Sequence, residues 1–237
     1  MDKRLAYIIY YLCLVSGLGS LMFFTVFLFT GPFNFIDLKL NIEQAMIFDA
    51  GLCLVFFLQH SIMVRKSIRK KLPVPDQYSG AVYAIASGVV LTILVVFWQT
   101  VPVIIFSAEG IAYWAFRLLF FIGCAGVTWG MMSLNDIDLI GAKKIRYFIK
   151  DKKPRSSSLL VKGAYRWLRH PLYFFMLIIF WSYPVFTPDK LLFNILWTVW
   201  VIAATILEER DMVTDFGESY KQYQGKVPML LPYKIPD

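Results

Sequence analysis

The chain has 237 residues, 58% of them hydrophobic and 17% charged, with a mean hydropathy of +0.60. Soluble domains sit near about 45–50% apolar and 25% charged, so a freely soluble globular enzyme is excluded, and 21 Phe, 13 Tyr and 7 Trp exclude a disordered chain. A formal charge of +8 raises nucleic-acid binding, but the Lys and Arg residues fall between hydrophobic spans, which makes this an integral membrane protein.

Apolar stretches run over residues 5–30, 44–64, 79–98, 111–134, 172–186 and 191–207. A helix needs about 20 residues to cross roughly 30 Å of hydrocarbon. The first four meet that length; the fifth falls short, and Pro184 and Pro188 set it off from the sixth as a tight helical hairpin. The first stretch is too long for a signal peptide and lacks a small-x-small cleavage site, so it is expected to stay as an anchor. Lys and Arg number 2 before the first span, 5 over residues 65–71, 10 over 135–171 and 4 after 207, whereas the alternate loops hold only Lys39 and Lys190. Arg117, inside the fourth span, is expected to snorkel outward. Positive loops stay inside, which puts both termini in the cytoplasm. The expected fold class is therefore all-α: a polytopic membrane helical bundle of about six spans, closed by a short C-terminal hairpin.

The polar stretch 135–171 is long for a loop. Ile137, Ile140, Ile145, Phe148 and Ile149 alternate there with Lys143, Lys144, Arg146 and Lys150, which fits either an interfacial amphipathic helix or a solvated basic loop. The sequence thus divides into a four-span N-terminal bundle, 1–134, and a catalytic portion, 135–237, comprising loop, hairpin and tail.

Ionisable groups at membrane depth cost roughly 2.5–3.5 kcal/mol each and mark function. Gln59 and His60 fall near the cytoplasmic end of span two, Asn135, Asp136 and Asp138 after span four, Arg169 and His170 at the start of span five, and Glu208, Glu209, Arg210 and Asp211 at the end of span six. Both histidines of the chain share this layer. Acidic residues at a helix C-terminus oppose its dipole, which favours a functional reading of the glutamates. The three cysteines, Cys13, Cys53 and Cys124, lie singly in apolar segments, and no metal-ligand spacing, nucleophile elbow, P-loop or dinucleotide fingerprint occurs. No metal and no nucleic-acid partner is expected.

The run Gly163-Ala164-Tyr165-Arg166-Trp167-Leu168-Arg169-His170-Pro171-Leu172-Tyr173 resembles the G-x-Y-x-x-x-R-H-P-x-Y motif of the integral-membrane methyltransferases related to isoprenylcysteine carboxyl methyltransferase and the phospholipid N-methyltransferases. Downstream, Glu208-Glu209 and the tail residues Phe216-Gly217, Tyr220, Tyr223, Val227-Pro228 and Pro232 resemble the same superfamily. Within it, Gln59-His60-Ser61-Ile62-Met63, Trp98-Gln99, Asp138-Leu139-Ile140-Gly141 and Glu208-Glu209-Arg210-Asp211 are similar to motifs of the nurim-like branch, which includes methanethiol S-methyltransferases. Tyr173 departs from some members of that branch and leans toward the isoprenylcysteine enzymes.

The resemblance implies S-adenosyl-L-methionine bound in a cytoplasm-facing pocket by Tyr165, Arg169, His170, Pro171, Tyr173, Glu208 and Glu209, with Arg169 suited to the methionyl carboxylate. It implies a small thiol acceptor such as methanethiol, giving dimethyl sulfide, with His60, Glu208, Glu209 and Arg210 as catalytic candidates: a base from His60 or a glutamate, and a cationic field from Arg169 or Arg210. A lipid-linked acceptor (an isoprenylcysteine carboxylate or a phospholipid amine) is the alternative, a sterol-type reductase a more distant one, and a catalytically silent nurim-like protein the non-enzymatic one. Membrane lipid is the expected surrounding, and the bacterial inner membrane the expected location.

Overall fold

A computed structural model describes residues 3–69, 73–134, 138, 141–152 and 159–234. Asn135, Asp136, Ile137, Leu139 and Ile140, singled out above, lie outside the described residues. The chain is almost wholly helical: α1 (Lys3–Thr30), α2 (Ile42–Met63), α3 (Lys66–Arg69), α4 (Asp76–Phe97), α5 (Gly110–Ser133), α6 (Lys143–Ile149), α7 (Pro171–Trp181), α8 (Pro188–Phe216) and α9 (Glu218–Lys226), with a 3-10 turn at Gly163–Arg166. Among the described residues five helices, α1, α2, α4, α5 and α8, are long and apolar enough to cross a bilayer. Their outer faces are apolar too: Val15 and Met22 on α1 are 73% and 71% exposed, and Ile111 and Trp114 on α5 are 90% and 70% exposed. Apolar surface on this scale is a lipid-facing surface.

The fifth stretch of the sequence departs from its expected bounds. α7 ends at Trp181, and its 11 residues rise only about 16 Å. Two-residue strands follow the same logic of chain punctuation: β2 (Val185–Phe186), between Pro184 and Pro188, pairs antiparallel with β1 (Phe106–Ser107), a ribbon with no signal in the hydropathy. α8 differs more consequentially. It does not stop after residue 207 but runs 29 residues to Phe216, where Gly217 takes φ +58° and turns the chain into α9. The acidic residues at 208–211 are therefore inside a helix, and the argument from an opposed helix dipole falls away.

Two compact units partition the chain, Met1–Val101 with Asp138–Ser156, and Pro102–Ile137 with Ser157–Asp237. This partition by packing differs from the sequence division at 134/135, because α5 packs with the C-terminal elements. In the first unit α1 and α4 approach closely at small residues, Gly88 lying against the Ser16 carbonyl and Ser20, as expected where lipid removes any hydrophobic drive for helix association. Gln99 closes the far end of this unit. Its backbone N–H donates to Asp49 Oδ1 at 3.0 Å, its amide nitrogen to the Ile36 carbonyl at 2.9 Å, and its amide oxygen accepts from the Leu38 N–H at 3.0 Å. The Trp98-Gln99 pair is thus a structural staple, with Trp98 buried edge-on to Phe27.

The basic loop contributes α6 to this unit. Ile145 is fully buried with Ala6, Cys13, Tyr78 and Ala81, and Phe148 and Ile149 pack against the same cluster. Of the two sequence readings, the helix is the one formed, docked on α1 and α4. Gly141 leads into it at φ +64°, with its backbone against the Gly80 carbonyl. In the second unit α5 presents Gly123, Gly126 and Gly130 on one face, and these receive Ile179, Phe175 and Leu172 of α7.

A methyl at Gly141 would overlap the Gly80 backbone, where no side chain can yield, and would strain a positive φ. Gly141→Ala is expected to destabilise the protein by roughly 1–3 kcal/mol, read as a lowered thermal midpoint in detergent; an unchanged midpoint would refute the close approach of these two backbones.

Candidate active site

The site is built in the second unit. Pro171 occupies the first turn of α7, where its missing N–H costs nothing. The two residues before it pair with the tail: the N–H of Arg169 donates to the Pro228 carbonyl at 2.9 Å and that of His170 to the Met229 carbonyl at 3.1 Å. Val227-Pro228 thereby holds the R-H-P turn against the end of α9. Ser133, at the C-terminus of α5, orients the preceding 3-10 turn by accepting from the Ala164 N–H at 3.0 Å.

Glu209 lies at the centre, only 8% exposed. Its Oε1 accepts from Arg169 Nε at 2.9 Å, His170 Nε2 at 2.7 Å and the Tyr220 hydroxyl at 2.7 Å; its Oε2 accepts from Arg169 Nη2 at 2.9 Å and Gln224 Nε2 at 2.6 Å. A carboxylate only accepts, so His170 carries its proton on Nε2. Arg169 Nη1 donates in addition to the Gln224 carbonyl at 3.0 Å and to the Val227 carbonyl, groups left without helical partners at the end of α9. The bidentate fork that the sequence offered to a ligand carboxylate is therefore turned on Glu209. Burial, and then the neighbouring Glu209, push the Tyr220 phenol well up, so it remains a donor at any physiological pH.

Glu208 is placed differently. Its side chain is 40% exposed, and among the described residues it accepts one hydrogen bond, from the Tyr173 hydroxyl at 2.7 Å. His170 Nδ1 stands 3.7 Å from the same Glu208 oxygen, and the His170 ring stacks on Tyr173 with centroids 5.5 Å apart. Burial, and then the charge of Glu208, raise the Tyr165 phenol. Tyr223 anchors the backbone of Tyr165, its hydroxyl donating to the Tyr165 carbonyl at 2.6 Å, and burial raises the Tyr223 phenol also.

The fold thus gathers Tyr165, Arg169, His170, Pro171, Tyr173, Glu208 and Glu209 within one unit. Arg210 projects from the exposed face of α8. His60 belongs to the first unit, on α2, where it meets Tyr83 of α4. Gln224 was missed by sequence reasoning. Its only signal is its spacing, one helical turn beyond Tyr220.

A buried carboxylate satisfied by Arg169, His170, Tyr220 and Gln224, beside a second, part-exposed carboxylate on the same helix, is suited to hold a small cationic, hydroxyl-bearing ligand. The phospholipid methyltransferase family matches residues 111–219, from the start of α5 into α9. Over 206 residues the chain is 32% identical to a methanethiol S-methyltransferase of Crocosphaera subtropica, covering 81% of this chain and 77% of that one. It is 31% identical over 198 residues to a methanethiol S-methyltransferase of Mycobacterium tuberculosis, covering 81% and 80%, and 27% identical over 178 residues to nurim of Xenopus laevis, covering 69% and 61%. No solved structure matches the chain significantly. The protein is an integral-membrane methyltransferase. Within that superfamily it belongs to the family of the methanethiol S-methyltransferases and nurim.

Removing one partner of a buried ion pair costs roughly 3–5 kcal/mol, whereas losing one half-exposed hydrogen bond costs about 1 kcal/mol. Glu209→Ala is expected to lower the thermal midpoint sharply and open residues 218–234 to protease, and Glu208→Ala to do neither. Equal effects from the two would overturn this division of labour.

Proposed function

We propose that the protein is an S-adenosyl-L-methionine-dependent thiol S-methyltransferase that converts methanethiol to dimethyl sulfide, in a bacterial inner membrane, with its site on the cytoplasmic side. The observation that carries the donor is Glu208: a carboxylate with an open oxygen, set by Tyr173 beside His170 Nδ1. Such a group accepts ribose hydroxyls or a methionyl ammonium, and the aromatic rings offer faces to adenine or sulfonium. S-adenosyl-L-methionine supplies, when bound, a methyl carbon already activated by its sulfonium. Arg169 and Glu209 serve it indirectly, by fixing the turn, the helix and the tail that form the walls.

With the methyl group so activated, the protein's task is alignment and a deprotonated acceptor. Holding two reactants in attack geometry is worth roughly 7–11 kcal/mol. In this reading the field of Arg210, two residues beyond Glu208 on α8, favours the thiolate. What supports the acceptor is the identity to methanethiol S-methyltransferases over four-fifths of the chain. What supports the orientation is the distribution of Lys and Arg in the loops. The match to the phospholipid methyltransferase family favours one second reading, a phospholipid amine as acceptor.

Cells expressing the protein and fed methanethiol are expected to release dimethyl sulfide into the headspace, and the Glu208→Ala variant, still folded, to release none. Well-expressed protein that binds S-adenosyl-L-methionine and labels phospholipid, with no sulfide formed, would establish the second reading. Absence of donor binding would remove the enzyme reading altogether.

A further inference from the structure

In the second unit, two stretches of chain at the rim of the Glu208–Glu209 site are basic and apolar at once. Residues 159–170 and 219–234 hold Lys162, Arg166, Arg169, Lys221, Lys226 and Lys234 and no Asp or Glu. Arg169 is engaged by Glu209, and Lys221 pairs with Glu218 at 2.6 Å; the other four, Lys162, Arg166, Lys226 and Lys234, are exposed. Among them stand apolar and aromatic side chains that the rest of the chain does not cover. Leu231 is 66% and Tyr233 72% exposed, and Leu160, Val161 and Trp167 are exposed too. The inner sides of the same stretches are packed, with Leu159 against Tyr220, Tyr223 and Val227, and Leu168 buried. Backbone pairing ties the two together, since the N–H groups of Arg169 and His170 donate to the Pro228 and Met229 carbonyls.

The level of these stretches in the molecule follows from what they hang on. Ser133, the last residue of the apolar helix α5, accepts from the Ala164 N–H at 3.0 Å, and Pro171 opens the apolar helix α7. Those two ends mark where hydrocarbon stops, and the headgroup layer beyond is about 5–8 Å thick on each side. Trp167 follows Ala164 by three residues of a 3-10 turn, no more than about 6 Å at roughly 2 Å per residue. Leu231 follows Met229 by two, within about 7 Å of the His170 amide's partner. Both therefore fall inside the headgroup layer. Trp and Tyr flanked by Lys and Arg are the side chains that the boundary between lipid and water selects, rings among the headgroups and cations on their phosphates.

We propose that the turn 163–170 and the tail 227–234 together form an interfacial anchor that docks into a headgroup layer of anionic phospholipid, and that this docking holds the tail on the Arg169–His170 turn. Trp167, Leu231 and Tyr233 enter the layer, and Lys162, Arg166, Lys226 and Lys234 meet its phosphates. Charge sets the partner: four exposed cations, with no carboxylate in either stretch, are drawn to a negative surface and not to a zwitterionic one. Among the described residues, two backbone hydrogen bonds join the tail beyond Val227 to the turn. A terminal stretch so held frays readily, and a bilayer against its outer side steadies it.

Hydrogen exchange of the full-length protein in lipid nanodiscs tests this, because the Arg169 and His170 amides exchange when the tail leaves the turn. Discs of phosphatidylcholine alone are compared with discs that also contain phosphatidylglycerol. The two amides are expected to exchange more slowly in the anionic discs. Lys226→Gln combined with Lys234→Gln is expected to exchange there about 25-fold faster than the unsubstituted protein, roughly fivefold for each cation removed, and to match it in phosphatidylcholine. Leu231→Ser combined with Tyr233→Ser is expected to speed exchange in both kinds of disc, since apolar insertion needs no charge. High salt, which screens the surface without any substitution that could disturb folding, is expected to bring the unsubstituted protein in anionic discs toward its phosphatidylcholine rate. Equal exchange in the two kinds of disc, or a lysine-variant defect that persists in phosphatidylcholine, would make the tail a purely intramolecular wall and overturn the proposal. Protection by phosphatidylglycerol that salt does not reverse would overturn it as well, since the partner would then not be chosen by charge.

Discussion

The second unit depends on the neutralisation of one buried carboxylate. Glu209 is ionised at a depth where an isolated charge would be intolerable, and it is tolerated because Arg169, His170, Tyr220 and Gln224 converge on its two oxygens. Buried ion pairs seldom add net stability over well-packed apolar residues. What this one does is fix register: a long helix, a turn, a short helix and an extended tail must all arrive in one arrangement, or the charge is left bare. Because neighbouring residues on a helix point about 100° apart, satisfying Glu209 inward directs Glu208 to the edge of the cluster, where a single tyrosine steadies it and solvent reaches it.

The apolar parts of the molecule meet a complementary constraint. Lipid is as apolar as leucine, so helices gain little by merely hiding side chains from it. Close approach is what remains, and the chain provides it with glycine and serine at α1 against α4 and with a glycine face on α5 that admits Ile179, Phe175 and Leu172. Such packing leaves room for a few polar groups only when they find each other. The staple of Gln99 to Ile36, Leu38 and Asp49 does so at one end of the first unit, and Gln59 with Ser87 and His60 with Tyr83 do so between α2 and α4.

Much of this was legible in the sequence because the signals are local. Long apolar runs give spans, and the R-H-P and E-E motifs give the residues that the fold brings together. The roles of those residues were less legible. Arg169 read as a free bidentate donor since nothing in its own neighbourhood announces that α9, some fifty residues on, supplies Glu209 with further donors and closes over the pair. The end of α8 was misplaced because hydropathy reports where lipid ends, whereas a helix goes on while its hydrogen bonds do and until a residue such as Gly217 permits a turn. Gln224 and Tyr83 carried no motif at all: each matters through a partner on another helix.

The order in which these parts are synthesised has a consequence of its own. Among the described residues every helix able to cross a bilayer is complete by residue 216, yet Tyr220, Gln224 and the carbonyls of Val227, Pro228 and Met229 are needed to close the cluster around Glu209. The cluster around Glu209 therefore closes only when the segment behind the last of these helices has folded back onto it. A chain released early, or clipped behind α8, would sit in the bilayer with a bare buried charge, a state that quality-control proteases can recognise, and assembly and competence are in this way made to arrive together.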